Sequence, residues 1–247
     1  MTHPRFVVVI PSYNNEIFCE KNLFSVLTQD YLFFRVVFID DASTDNTLQK
    51  VKSLIKKMAP KQSIEIIHNE INQGGLENIY NAVIKAEDDE IIVNVDGDDW
   101  LKHEGVLSFL AKVYKKGHIW LTYGQYENYP SGTIGQCSAI FSKVHRVEGL
   151  RELPWVTSHL RTFYGGLFKK IRKEDLLYEG EFFRLAWDLA FMFPMIEMAG
   201  EKRVKFISEI LYVYNAINPL GDGKAHYEMQ QEMGRVIRSK RPYELLG

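Results

Sequence analysis

Cysteine is scarce in this chain of 247 residues, with only Cys19 and Cys137 present. Two thiols cannot build a disulfide framework, and such sparing use suits a reducing compartment. No sign of charge dominates either. Thirty Lys and Arg against 32 Asp and Glu leave a net charge of −2, so no general affinity for nucleic acid is implied. Long hydrophobic runs are missing as well. The apolar run that follows Met1-Thr2-His3-Pro4-Arg5 is about six residues, too short for the core of a secretory signal. The most apolar later stretch, Phe182 to Ala199, is interrupted by Arg184, Asp188, Pro194 and Glu197, which argues against a membrane span. Internal repeats, low-complexity tracts and an obvious linker are also lacking. These absences point to a soluble, cytoplasmic chain. What is present is 46% hydrophobic and 25% charged residues, enough to bury a sizeable core. The length suits one large domain, or two halves sharing a core.

Residues 1–100 alternate strand and helix. Phe6–Ile10 reads as a strand running into Pro11-Ser12-Tyr13-Asn14-Asn15, followed by a helical pattern through Leu23, Val26 and Leu27. Arg35–Ile39 is a second strand ending in Asp40-Asp41. Thr47–Met58 then has Leu48, Val51, Leu54 and Ile55 at helical spacing, with Ser43, Thr44 or Asp45 available as N-cap. Ser63–Ile67 is a third strand, and Asn72-Gln73-Gly74-Gly75 turns into a helix carrying Leu76, Ile79, Tyr80 and Val83. Glu90–Val95 is the fourth. This order predicts an α/β fold with a mostly parallel sheet and right-handed crossovers. Ligands of such sheets bind beyond the carboxyl ends of the strands.

Three carboxylates gather at one of those ends, in Val95-Asp96-Gly97-Asp98-Asp99-Trp100. Like charges so close repel one another, and a hard divalent cation with oxygen ligands would relieve them. Asp and Gly are also ordinary turn formers, so an acidic surface turn is the plainer alternative. Against that alternative, Asn14, Asp40 and Asp41 fall at the carboxyl ends of other strands, which a chance surface turn does not require.

Residues 101–247 are less regular. Glu104–Lys116 reads as a helix and Ile119–Gln125 as a strand. An aromatic, glycine-bearing loop follows from Tyr126 to Gly135, and Pro154 to Phe163 is irregular. Gly165–Ile171 and Lys173–Leu177 are short helical candidates, Phe182–Met198 an apolar helix, Val204–Tyr214 a strand, and His226–Ser239 an amphipathic helix with a basic end.

Taken in order and spacing, Val9-Ile10-Pro11-Ser12-Tyr13-Asn14-Asn15, Ile39-Asp40-Asp41-Ala42-Ser43-Thr44-Asp45-Asn46-Thr47, Asn72-Gln73-Gly74 and Val95-Asp96-Gly97-Asp98-Asp99 resemble family-two glycosyltransferases of the GT-A fold. The likeness is tightest over residues 1–100, and Ala186-Trp187-Asp188 extends it more loosely into the second half. It implies a single GT-A domain over residues 1–247, with a nucleotide-sugar half (1–100) and an acceptor half (101–247) that includes a C-terminal loop and helix. It further implies an inverting transfer of a sugar from a nucleoside diphosphate, UDP first, to a glycan or to a lipid- or protein-linked hydroxyl. A lipid-linked acceptor would bring the enzyme to the inner face of a membrane as a peripheral protein.

The same likeness distributes roles. Asp98 would be the direct ligand of Mn²⁺ or Mg²⁺, with Asp96 near metal or ribose and Asp99 either at the donor sugar or supporting the metal shell. Asp41 would accept the ring N–H of the base, flanked by Pro11, Tyr13 and Asn15, and Asn72, Gly74 and Gly97 would complete the donor site. Asp40 is either a helix cap or a ligand contact. One departure stands out. Relatives follow Asn-x-Gly with an arginine that approaches the diphosphate, whereas this helix reads Leu76-Glu77-Asn78. The segment Asn215–His226 offers substitutes: Lys224 for the diphosphate and His226 for the metal shell.

Sugar transfer also needs a base for the acceptor hydroxyl. Asp188 is the candidate, because a carboxylate inside an apolar stretch must be paired, capped or functional. Pairing with Arg184 at helical spacing is the structural alternative, and Glu181 is the reserve. His159 and Arg161 could line the acceptor side, and Trp155 and Trp187 could stack on a sugar or pack in the core. Two other functions remain open: a metal-dependent phosphoryl or nucleotidyl transferase, and a catalytically silent sugar-binding module on the same fold.

Overall fold

The computed structural model describes residues 3–142, 149–219 and 227–247. Its first four strands are β1 (Phe6–Ser12), β2 (Phe34–Asp40), β3 (Ile64–His68) and β4 (Ile91–Asn94). They alternate with α1 (Cys19–Leu27), α2 (Thr47–Met58) and α3 (Gly75–Lys85). The second half adds β5 (Trp100–Leu101), α4 (Val106–Tyr114), β6 (Leu121–Tyr129), β7 (Arg161–Tyr164) and α5 (Gly165–Phe168). It ends with β8 (Leu177–Tyr178), β9 (Glu181–Phe182), α6 (Trp187–Ala199), β10 (Val204–Asn215) and α7 (Tyr227–Ser239).

Eight strands form one sheet in the order β3-β2-β1-β4-β7-β6-β10-β5, so both halves contribute to it. The pairs β1/β2, β2/β3, β1/β4 and β6/β10 are parallel, while β7 runs antiparallel to β4 and β6, and β5 antiparallel to β10. Helices cover both faces, and the apolar runs divide accordingly. Along β1, Val7 and Val9 join one core cluster with Ile79, Val83 and Phe191, whereas Phe6, Val8 and Ile10 join the other with Leu23, Val26 and Leu107. Successive side chains of a strand point to opposite faces, so a continuous apolar run is what a doubly covered strand demands.

The first half follows the periodicity closely. The N-cap of α2 is Asn46, without a side-chain cap bond, and not Ser43, Thr44 or Asp45; Asp45 instead braces the turn before it, its Oδ1 accepting the Thr47 N–H at 2.9 Å and its Oδ2 the Glu16 N–H at 3.0 Å. The second half departs from expectation in three places. The strand expected over Ile119–Gln125 continues through the aromatic stretch to Tyr129, because β10 pairs with it that far. The irregular segment before Phe163 contains β7, which inserts antiparallel between β4 and β6. The apolar helix begins at Trp187 and not at Phe182. Phe182 lies in β9, and Ala186 adopts a left-handed φ of 51° that interrupts helical geometry. No helix among the described residues is long and apolar enough to cross a membrane.

Candidate active site

The carboxyl ends of β1, β2 and β4 open onto one cavity of about 590 Å³. Pro11, Tyr13 and Asn15 form one wall, and Asp41, Asn72 and Gly74 a second. Asp96, Gly97, Asp98 and Asp99 line it below β4. The second half closes the remaining side with Arg184, Leu185, Trp187, Tyr214 and Asn218, together with Met229 and Gln230 from α7. The sequence-derived donor residues of the first half thus share one concavity. Lys224 and His226 lie outside the described residues. Asp188 is not among the cavity-lining residues, although its neighbours Leu185 and Trp187 are.

The floor is held by a network of donors. A side chain at Gly97 would put its Cβ 2.7 Å from the Pro11 carbonyl oxygen and 2.7 Å from Ser12 Cβ, so only glycine lets the turns after β1 and β4 approach so closely. Asn22, fully buried in α1, donates to the carbonyls of Asp96 at 2.9 Å and Asp99 at 2.8 Å. The Tyr212 hydroxyl accepts the Asp96 N–H at 3.0 Å, and the Asn94 amide donates to Asp96 Oδ1 at 2.9 Å. Asp98 Oδ2 accepts from the Asn218 amide at 2.7 Å, and Asp99 Oδ1 from the Asn215 N–H at 2.7 Å.

The other wall is set by Asp41. Its Oδ1 accepts from the Gln73 N–H at 2.9 Å and the Asn69 amide at 2.8 Å, and its Oδ2 from the Gly74 N–H at 2.8 Å. Asp41 therefore shapes the turn into α3 as well as facing the cavity. Asp40, in contrast, is fully buried beside His68 Nδ1 at 2.7 Å and caps no helix.

Burial pushes the Asp96 carboxyl up to about 6, opposed by Arg161 and reinforced by Asp98. Burial likewise raises Asp98, with the Asn218 hydrogen bond working against it, and lifts Asp99 well above the usual range, helped by Asp98 and Asp96. His159 is held well below its ordinary value by burial and by Arg161, so its imidazole is neutral. It stacks on Tyr212 with ring centres 4.6 Å apart. Ligand atoms of Asp96, Asp99 and His159 come within 4.8 Å of one another. Asp99 Oδ2 and His159 Nδ1 are buried with no hydrogen-bond partner. Oxygen and imidazole donors in this state suit a divalent cation. This set shares Asp96 with the sequence-derived set and adds Asp99 and His159, while Asp98 faces Asn218.

Asp188 does not pair with Arg184. Its Oδ2 accepts from Arg161 Nη2 at 2.9 Å, and Arg161 Nη1 lies 4.0 Å from Asp96 Oδ2. Arg184 instead reaches Asn72, donating to Oδ1 at 2.9 Å and to the carbonyl at 3.2 Å. Among the described residues it is the one lysine or arginine lining the cavity. Trp187 lines the cavity, and Trp155 packs edge-on against Phe193. Sequence pattern alone does not nominate Asn22, Asn218 or Arg184 as site residues. For Asn22 a signal existed, since it is a polar residue on the apolar stripe of α1 formed by Cys19, Leu23 and Val26.

The family model for glycosyl transferase family 2 matches residues 7–176. Among curated relatives, poly(ribitol-phosphate) beta-N-acetylglucosaminyltransferase TarS of Staphylococcus aureus is 34% identical over 102 residues, spanning 40% of this chain and 17% of that protein. Glycosyltransferase GlyG of Streptococcus pneumoniae is 29% identical over 122 residues, 49% of this chain and 39% of the relative. This chain thus spans well under half of the length of either. Among solved structures, S. aureus TarS 1-349 in complex with UDP-GlcNAc aligns with a TM-score of 0.68 at 22% identity, covering 94% of this chain and 65% of that one. The mannosyltransferase PcManGT of Pyrobaculum calidifontis, in complex with GDP-Man and Mn²⁺, aligns with a TM-score of 0.67 at 18% identity, covering 98% and 67%. At these identities the structural likeness establishes the shared GT-A fold.

Proposed function

The chain belongs to glycosyl transferase family 2, and we propose that it moves a sugar from a nucleoside diphosphate, UDP before GDP, to a hydroxyl acceptor with inversion at the anomeric carbon. The observation that carries this reading is the single cavity in which Asp96, Asp98 and Asp99 face Pro11, Tyr13, Asn15, Asp41 and Asn72. A nucleotide entering there has its base against the Pro11–Asn15 and Asp41 walls and its diphosphate toward the carboxylates. Asp41 has one lone pair left on Oδ2 beyond its three donors, and a carboxylate can accept a ring N–H as found in uracil. Arg184 supplies positive charge at the Asn72 wall, in a chain whose α3 lacks an arginine near its start.

Asp96, Asp99 and His159, with Asp98 completing the set from the cavity side, would hold Mn²⁺ or Mg²⁺. Such a cation, when bound, neutralises charge on the leaving diphosphate as a Lewis acid. Trp187 would present its ring to the donor sugar. Asp188 would take the acceptor proton as general base, an effect worth about 10²–10⁴ in rate. The acceptor would enter from the second-half side, past Tyr214 and α7. The UDP-GlcNAc and GDP-Man complexes of similar folds support the donor class, and the poly(ribitol-phosphate) substrate of the S. aureus relative makes a phosphate-bearing polyol the first acceptor to try.

Thermal unfolding across a panel of UDP- and GDP-sugars, with Mn²⁺ or with chelator, tests the donor, because a ligand of the folded state raises its apparent stability. The expected result is metal-dependent stabilisation by a UDP-sugar, abolished together with transfer in Asp98→Ala while the apo variant stays folded. Transfer at wild-type rate in that variant would remove Asp98 from the machinery.

A further inference from the structure

Arg161 stands between the two ends of this site. It opens β7, where it pairs across from Asn94 of β4, two residues before Asp96. Its side chain is 4% exposed. Nη2 donates to Asp188 Oδ2 at 2.9 Å, and Nη1 lies 4.0 Å from Asp96 Oδ2. Its Nε and Nη1 have no hydrogen-bond partner among the described residues. The guanidinium also lies 5.6 Å from the ring centre of Trp187, the cavity residue next to Asp188. Buried donors are ordinarily satisfied, so a guanidinium kept here with two nitrogens that make no hydrogen bond needs a reason other than stability. The geometry provides one, because a planar fork of fixed shape fits between two carboxylates.

We propose that Arg161 is a positioning residue that sets the direction and distance of Asp188 relative to the donor end of the cavity. This inference rests on the assignment of Asp188 as base. The Asp188 carboxylate sits in the first turn of α6, where Oδ1 is turned back to the Leu189 N–H at 3.1 Å. Arg161 holds the second oxygen, so without the fork only the Leu189 N–H orients the carboxylate. β7 is anchored to β4 by strand pairing, so Arg161 refers Asp188 to the strand that carries Asp96. A plain structural ion pair would need the positive charge but not the fork.

The test uses Arg161→Lys, Arg161→Met, Asp188→Asn and the Arg161→Met/Asp188→Asn double variant of the full chain. Steady-state kinetics are measured beside the donor dissociation constant and the urea midpoint. Misplacing a reacting group by about 1 Å can cost roughly a hundredfold in rate. Both single Arg161 variants are therefore expected to lose about ten- to a hundredfold in kcat, with donor affinity changed less than about threefold. The double variant is expected to be no slower than Asp188→Asn, since residues acting through one another are not additive. Arg161→Lys keeps the charge and folds even if Arg161→Met does not. Full kcat in the lysine variant, or losses that multiply in the double variant, would overturn the proposal. Wild-type turnover in Asp188→Asn would instead remove the base assignment itself.

Discussion

Asp96 carries the most direct pH signature at the level of single residues. Burial raises its carboxyl to about 6, so the folded chain holds this proton more tightly than the unfolded chain does. The stabilisation from that preference is complete below the ordinary aspartate range near 4 and is lost as pH rises through about 6. A divalent cation held by the same carboxylate would compete with that proton. Stabilisation by Mn²⁺ should therefore grow between roughly pH 5 and pH 7, and Asp96→Asn should flatten the apo dependence over that range. Thermal melts at matched ionic strength check both. Equal Mn²⁺ stabilisation at the two pH values would mean that Asp96 is not the coupled group. The carboxylates were readable from sequence because Asp and Gly crowd a strand end. His159 and Arg161 could be nominated only for the acceptor side, since their nearness to Asp96 arises from pairing between β4 and β7, far apart in the chain.

Elements of the first half declare themselves through local pattern. A doubly covered parallel strand must be continuously apolar, and α1, α2 and α3 each show an apolar stripe. In the second half α6 is buried on nearly every side from Leu189 to Ala199, so no stripe exists to mark its start. β7 is four residues long and contains Arg161 and Thr162, which makes it look like loop. The turns show the same division between legible and hidden. Gly97 was visible as a turn glycine, but not its close approach to β1. Gly97→Ala would drive Cβ against the Pro11 carbonyl and Ser12, and backbone there cannot yield as a flexible side chain would. The expected cost is about 1–3 kcal/mol in urea unfolding, with donor affinity weakened as the floor shifts. An unchanged midpoint would show that the two turns separate freely.

At the scale of the whole molecule, the second half is tied together by more than the sheet. Arg151 donates to Glu197 of α6 through Nε at 2.6 Å and Nη2 at 2.8 Å, and to the Ile237 carbonyl of α7 at 2.7 Å. Glu197 also accepts the Tyr243 N–H at 2.9 Å. One buried pair thus binds the Arg151 segment, both helices and the C-terminal stretch. Removing one partner of such a pair costs about 3–5 kcal/mol, because a charge is left behind without its counterpart. Arg151→Met should show that loss in urea unfolding, and should weaken donor binding through Met229 and Gln230 of α7, which line the cavity. A loss under about 1 kcal/mol would rank the pair with surface contacts. The sheet order has a consequence for how the molecule comes into being. β7 enters between β4 and β6, and β10 between β6 and β5, so the middle of the sheet is assembled from strands made late. A nascent chain that has released only its first hundred or so residues has β1 to β4 but leaves the β7 side of β4 unpaired, a bare edge that invites wrong partners. Asp96, Asp98 and Asp99 are then made, yet they meet neither His159 nor Arg161. On the ribosome the proposed site would therefore be completed late, when β7 docks beside β4.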